Sequence, residues 1–223
     1  MVGHGPLKPS IGVRVPARQQ MDFTNSFLNP FLIYLPKVFS AGVILLAAFF
    51  YLRVLKNPED SASRLKKLAV WVIGFRFFYA LILTLGQYFV WNEDQFGKLF
   101  LKQPNNYFIF YSWERFWLDA VLSAVIAFLF WFFLKALQKK ESRFFCPGET
   151  ELGLALTIAV GWPDCVIFIP LTFLLVVLFS LFRMIFLKES YTTIGWPFIF
   201  AAALTLISGS AVLSSLGLLG VLN

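Results

Sequence analysis

Charged residues are scarce in this chain of 223 residues, where they make up 14% of the sequence. Hydrophobic residues make up 59% and aromatic residues 19%. A soluble domain has about 25% charged residues and about 45–50% apolar residues. Because so few charges cannot cover so much apolar surface, the composition excludes an ordinary soluble fold. The sequence predicts an integral membrane protein whose first partner is the lipid bilayer.

Histidine and cysteine are also scarce, with His4 as the one histidine and Cys146 and Cys165 as the two cysteines. The cysteines flank a predicted short helix, so we expect no disulfide between them. Two thiols and one histidine do not form a metal site, and no cofactor site is predicted. The net charge of +7 comes from basic residues at the ends of apolar runs, so no nucleic-acid partner is expected.

The first 29 residues are polar and basic, and their first part is rich in proline and glycine. They contain no apolar run of the kind found in a signal peptide. We therefore predict a disordered tail over residues 1–29, with Met21 as a candidate natural start. Residues 30–223 are predicted to form one transmembrane domain.

Apolar runs in the domain indicate an all-α fold. A helix that crosses the roughly 30 Å of hydrocarbon needs about 20 mostly apolar residues. The stretch 152–182 is too long for one such helix, and Gly161-Trp162-Pro163-Asp164 breaks it into a hairpin. We predict six helical segments, the fourth of them short, joined by polar loops at 55–67 and 92–106. Their approximate ranges are 31–54, 68–91, 113–137, 152–162, 165–187 and 194–219.

The orientation is predicted from lysine and arginine near the helix ends, which are more frequent in cytoplasmic loops. The segments 53–67, 135–143 and 183–188 carry most of these residues. We expect this side to be cytoplasmic and both termini to be extracytoplasmic, in a plasma (cytoplasmic) membrane.

The segment after the third apolar run carries a recognisable pattern. It reads Gly148-Glu149-Thr150-Glu151 at the start of a predicted helix that closes with Gly-Trp, and TTIGWPFIFAAAL follows at residues 192–204. The pattern resembles the Gly-x-Gly-Asp block and the Pro-Phe-Gly-Pro-Phe region of type IV prepilin leader peptidases, over residues 144–210. The resemblance implies a prepilin-peptidase-like bundle.

Members of that family are membrane aspartyl proteases with two carboxylates on the cytoplasmic side. The resemblance places Glu149 at the motif aspartate and leaves Glu59 or Asp60 as its partner, since Glu93 and Asp94 should lie on the opposite side. Glu149 is one methylene longer than aspartate, and a misplacement of about 1 Å can cost roughly 100-fold in rate.

Two further departures are Cys146 at the first motif glycine and Glu151 at a common lysine. We therefore expect a divergent, non-catalytic relative. An active peptidase of prepilin-like leaders and a membrane scaffold or partner subunit remain alternatives, with a leader peptide or another membrane subunit as partner. Glu149 and Glu151 also fit a helix's first turn, where acidic residues are favoured.

Arg76 is the clearest charge inside a predicted span and needs a partner there. Asp119 on the third segment is the first choice and Glu114 the second, as an intramembrane ion pair that fixes helix packing. Aromatic residues over 107–117 indicate an interfacial belt or an outward-facing docking surface.

Overall fold

The computed structural model describes residues 28–54, 58–102, 106–141, 143, 145–188 and 193–217, which form helices joined by short turns and contain no strand. The predicted disordered tail therefore lies almost entirely outside the described residues, as do Met21 and the predicted end of the last helix near residue 219. The side chains of residues 28–33, 54–61 and 187 are also outside the description. Residues 37–223 form one compact unit and the first 36 residues a separate one, and all contacts below lie within the former.

Eight α-helices are described, in the order α1 Leu28–Val54, α2 Pro58–Glu93, α3 Gln95–Leu101, α4 Tyr107–Ser112, α5 Leu118–Lys140, α6 Glu149–Val160, α7 Cys165–Phe182 and α8 Gly195–Ser215. A π-helical turn, Trp113–Trp117, joins α4 to α5, and a second, Arg183–Leu187, extends α7. Each of the six predicted segments therefore contains a described helix.

Five of the segments are long and apolar enough to cross a membrane, namely Tyr34–Arg53, Ala62–Glu93, Tyr107–Lys140, Cys165–Phe186 and Gly195–Ser215. The protein is thus a polytopic helical membrane protein. The fourth predicted segment, α6, has 12 residues and is only about 18 Å long at 1.5 Å per residue. It is shorter than the hydrocarbon layer, so by length and composition five helices qualify as candidate spans among the described residues, and the six-segment count stays a prediction.

Two predicted loops are largely helical. The loop predicted at 55–67 contains the start of α2, with Pro58 as the first helical residue, where its missing N–H costs nothing. The loop at 92–106 contains α3, whose first turn is capped by the Asp94 carboxylate through the N–H of Gly97 at 2.8 Å. Gly97 packs on the backbone of Trp91, where a Cβ atom would lie 2.6 Å from the Trp91 Cα. The sequence analysis missed these helical segments because hydropathy identifies apolar runs long enough to face lipid and does not identify helices with many polar residues.

The short helix α6 lies at the centre of the bundle. Eleven of its 12 residues are buried, and it contacts α2, α5, α7 and α8. Gly153 permits this packing, since a Cβ atom there would lie 2.7 Å from Leu134 of α5 and 3.3 Å from Phe198 of α8.

The outer faces of the long helices are apolar. Leu45, Trp71 and Ile207 are 72%, 77% and 81% exposed, as expected for side chains that contact lipid. The buried hydroxyl groups of three threonines donate to the carbonyl one turn earlier, Thr157 to Gly153, Thr172 to Phe168 and Thr205 to Ala201.

Candidate functional site at the two ends of helix α6

Glu149 is the first residue of α6 and follows Gly148, whose φ of 89° lies in the left-handed region. Glycine adopts this conformation without the steric cost that a Cβ atom brings. A Cβ atom at Gly148 would also lie 3.0 Å from the Ala62 Cα of α2. The turn before α6 thus packs directly on the N-terminal part of α2.

The Glu149 carboxylate is fully buried and accepts three hydrogen bonds. Its Oε1 accepts from the Tyr51 hydroxyl at 2.7 Å and from the Gly195 N–H at 2.8 Å. Its Oε2 accepts from the Cys146 N–H at 2.8 Å. These four residues, called the Glu149 cluster below, join α1, the loop before α6, α6 itself and the start of α8.

Burial raises the pKa of Glu149, although hydrogen bonds from Tyr51 and from the backbone of Cys146 and Gly195 partly oppose the shift. Burial and the neighbouring Glu149 carboxylate also raise the pKa of the Cys146 thiol. Since the thiolate is the nucleophilic form of cysteine, Cys146 is poorly suited to nucleophilic chemistry.

Glu151 has a different environment, nearer to solvent. It forms a salt bridge with Lys135 of α5 at 2.9 Å and accepts a hydrogen bond from the Thr150 hydroxyl at 2.7 Å. Burial acts to raise the pKa of Glu151, but the bonds from Lys135 and Thr150 outweigh it and lower the pKa. Glu151 is therefore held as a surface ion pair beside the buried Glu149.

The predicted partners of Glu149 lie in the first turn of α2. The side chains of Glu59 and Asp60 are outside the described residues, so the predicted carboxylate pair stays a prediction. Ala62 follows Asp60 by two residues and contacts Gly148, which brings the backbones of the two segments together. Glu93 is the last residue of the same continuous helix, about 50 Å away along its axis.

Arg76 caps the opposite end of α6. Its Nε donates to the Ile158 carbonyl at 3.1 Å and its Nη2 to the Ala159 carbonyl at 2.8 Å. Ser40 of α1 also donates to the Ala159 carbonyl, at 2.5 Å. The last carbonyls of a helix have no hydrogen-bond donor within the helix. Here side chains of α1 and α2 donate to the carbonyls of Ile158 and Ala159 near the end of α6.

Asp119 lies close enough to Arg76 for electrostatic attraction. Within the described part of the chain, however, the salt bridges closer than 4.0 Å do not include Arg76 with Asp119 or with Glu114. The guanidinium donates to the end of α6, and the intramembrane ion pair with Asp119 stays a prediction. Glu114 lies in the exposed π-helical turn.

The turn after α6 consists of the predicted Gly-Trp-Pro-Asp segment. Gly161 has a φ of 76° and a ψ of 174°, a conformation that is essentially restricted to glycine. A Cβ atom at Gly161 would overlap the Arg76 guanidinium. The Trp162 N–H donates to the Ser123 hydroxyl of α5 at 2.7 Å, and burial raises the pKa of Asp164 against the attraction of Lys37 and Arg76.

Sequence reasoning identified Glu149 and Arg76 but missed the residues that bind them. Tyr51 and Glu149 are separated by 98 positions and Arg76 and Ile158 by 82, so no local pattern connects them. One weak indication of Gly195 was present in the sequence, since it lies in the IGWPF segment that the family resemblance singled out.

The arrangement places a carboxylate at the N-terminus of α6 and a guanidinium at its C-terminus, as the helix dipole favours. It is suited to fixing a buried half-length helix. No group of three or more histidine, cysteine, aspartate or glutamate side chains that could hold a metal ion occurs in the described ranges. Comparisons with protein-family models, curated proteins and solved structures give no match to this chain.

Proposed function

We propose that the chain is a non-catalytic integral membrane protein, a divergent relative of prepilin peptidases that serves as a membrane scaffold or partner subunit. The observation that supports this most is the burial and hydrogen bonding of the Glu149 carboxylate. Glu149 is 0% exposed, and both of its oxygens accept hydrogen bonds, Oε1 from α1 and the start of α8 and Oε2 from the loop before α6.

An acid or base in peptide hydrolysis must come within hydrogen-bond reach of the scissile group or its attacking water. A carboxylate has about four lone-pair sites, and the Glu149 cluster uses three of them. Peptide hydrolysis would require Glu149 to give up contacts that join three helices. A structural role for Glu149 needs no such rearrangement.

The test is cleavage of a prepilin-type substrate by the purified full-length chain in bilayers, beside an active prepilin peptidase as positive control. We expect no cleavage by the wild type or by Glu149→Gln. We also expect the Glu149→Gln variant to unfold at a lower temperature. Cleavage by the wild type that is lost in Glu149→Gln would overturn the proposal.

The alternative, an active membrane aspartyl-type peptidase, has one contact in its favour. Gly148 packs on Ala62, which brings the segment after Glu59 and Asp60 to the turn before Glu149. If the wild type cleaves a leader peptide, Glu59→Gln or Asp60→Asn should abolish cleavage while Glu93→Gln should not.

We also propose that the start of α2 and the start of α6 face the cytoplasm of a plasma (cytoplasmic) membrane. The support is the concentration of lysine and arginine at this end, which includes Arg64, Lys66, Lys67, Lys139 and Lys140. A topology reporter fused after Asn223 should then report an extracytoplasmic C-terminus. A cytoplasmic reporter would reverse the orientation.

A further inference from the structure

A groove of about 590 Å³ runs between α1 and α2 on the outside of the bundle. Most of its walls are apolar, and they include Leu46 and Trp71, which are 48% and 77% exposed. Its lining residues are Phe39, Val43, Leu46, Phe50, Ser63, Arg64, Lys67, Leu68, Trp71 and Val72.

The length of the groove matches one leaflet of a bilayer. Its α1 wall runs from Phe39 to Phe50, about 16 Å of helix at 1.5 Å per residue. Its α2 wall runs from Ser63 to Val72, about 14 Å by the same rise. Half of the hydrocarbon core is about 15 Å thick. A single acyl chain that lies along the groove would therefore be covered over most of its length.

The two walls are antiparallel, and this places the charges at one end. The short 55–57 connection joins the end of α1 to the start of α2, so Phe50 and Ser63 lie toward the same end. At the other end the ring of Phe39 stacks on Phe75 of α2, with centroids 3.4 Å apart. Arg64 and Lys67 are the charged lining residues, and both lie near the start of α2.

A second cavity of about 420 Å³ adjoins this basic end through Ser63, which lines both cavities. It adds Lys66 and Lys135 beside Gly148, and its one acidic lining residue, Glu151, is neutralised by Lys135. Among the described side chains that line the two cavities, four are cationic and one is acidic. Basic pockets at helix ends attract anionic lipid headgroups.

We propose that this groove is a binding site for an anionic phospholipid, with an acyl chain along α1 and α2 and the phosphate at Arg64 and Lys67. The apolar walls recognise the chain, and the two cations select a negatively charged headgroup over a zwitterionic one. The site does not depend on the role of Glu149, so it holds for a scaffold and for an enzyme alike.

The experiment is native mass spectrometry of the full-length chain in detergent with equal amounts of phosphatidylglycerol and phosphatidylcholine. We expect preferential retention of phosphatidylglycerol. The double variant Arg64→Gln/Lys67→Gln should bind it roughly 30-fold more weakly, from the usual contribution of two cations near an anionic surface. The matched control Lys139→Gln/Lys140→Gln removes two charges from the end of α5, outside both cavities, and should retain the wild-type affinity.

A second variant tests the apolar wall without a change of charge. Leu46→Trp, at a half-exposed position, should fill the groove and reduce the binding of phosphatidylglycerol while the thermal unfolding temperature stays near that of the wild type. Equal retention of both lipids, or equal loss in the groove variant and its control, would overturn the proposal. Binding of a leader peptide that Leu46→Trp abolishes, with lipid binding unchanged, would assign the groove to a peptide and also overturn it.

Discussion

Tyr51→Phe is the most direct test of the Glu149 cluster, because it removes one oxygen atom and leaves the ring in place. The Tyr51 ring packs edge-on against Trp196, with centroids 5.8 Å apart, and lies against Gly195. A phenylalanine ring can retain both contacts. What is lost is the 2.7 Å hydrogen bond to a carboxylate buried from solvent, together with the contact between the hydroxyl and the Thr193 side chain.

The expected loss of stability follows from the charge on the acceptor of this hydrogen bond. A hydrogen bond to a charged group contributes about 1.5–3 kcal/mol, and Glu149 retains its two backbone donors after the change. We therefore expect the free energy of unfolding to fall by about 2 kcal/mol. For a chain of this size that corresponds to a decrease of roughly 4–8 °C in the unfolding temperature.

The assay is thermal unfolding of the detergent-solubilised protein, followed by tryptophan fluorescence at one fixed scan rate because such unfolding is often irreversible. Tyr88→Phe is the matched control: Tyr88 is 44% exposed, and among the described residues its hydroxyl has no hydrogen-bond partner. If Tyr51→Phe unfolds at the same temperature as Tyr88→Phe, the hydrogen bond contributes no stability and the proposed role of the cluster fails.

A double-mutant cycle with Glu149→Gln sharpens this test. The amide oxygen of glutamine can accept from Tyr51 and Gly195 as Oε1 does, but its NH₂ group would face the Cys146 N–H, donor against donor. We expect Glu149→Gln to destabilise the protein through this clash. The double variant should lose less than the sum of the single losses, since residues that share a bond are coupled.

Three further outcomes are expected. Gly161→Ala should lower the free energy of unfolding by about 1–3 kcal/mol because of its φ, whereas Gly74→Ala, with open space around its Cβ position, should not destabilise in the same thermal assay. Lys135→Gln should cost less than about 1 kcal/mol, since Lys135 is 39% exposed, and added salt should shrink the difference. Since the pKa of Glu149 is raised and that of Glu151 is lowered, pH titration of stability separates them. The contribution of Glu149 to the free energy of unfolding falls as pH rises from the ordinary glutamate pKa through the raised value, and Glu149→Gln should remove this pH dependence. The contribution of Glu151 falls in the opposite direction, as pH drops from the ordinary glutamate pKa toward its lowered pKa.

The sequence was sufficient for the helices that contact lipid and for the hairpin at Gly161, because both depend on local patterns. A run of about 20 apolar residues has few alternatives in a bilayer, and Gly-Trp-Pro-Asp interrupts such a run. The polar start of α2 at Pro58 and the short helix α3 were not predicted. The helicity of α3 depends on capping by Asp94 and on packing near Trp91, which hydropathy does not detect.

The candidate site was predictable in part. The charges of Glu149 and Arg76 were recognisable as unusual from their positions, but their partners lie on helices distant in sequence. Arg76 was expected to pair with a carboxylate, because a charge inside a membrane protein needs compensation. The carbonyls of Ile158 and Ala159 provide part of that compensation, and sequence cannot reveal them since every residue has a carbonyl.

The short length of α6 explains why these charges are where they are. A helix that crosses the whole bilayer has its unpaired terminal groups in water, but both ends of α6 are enclosed by protein. Backbone groups left without a partner at such depth each cost several kcal/mol. Arg76 satisfies the carbonyl end, and Glu149 ties the amide end to α1 and α8. Both residues therefore have a structural role whether or not the protein acts on a substrate, so the presence of Glu149 at the motif position is not by itself an argument for catalysis.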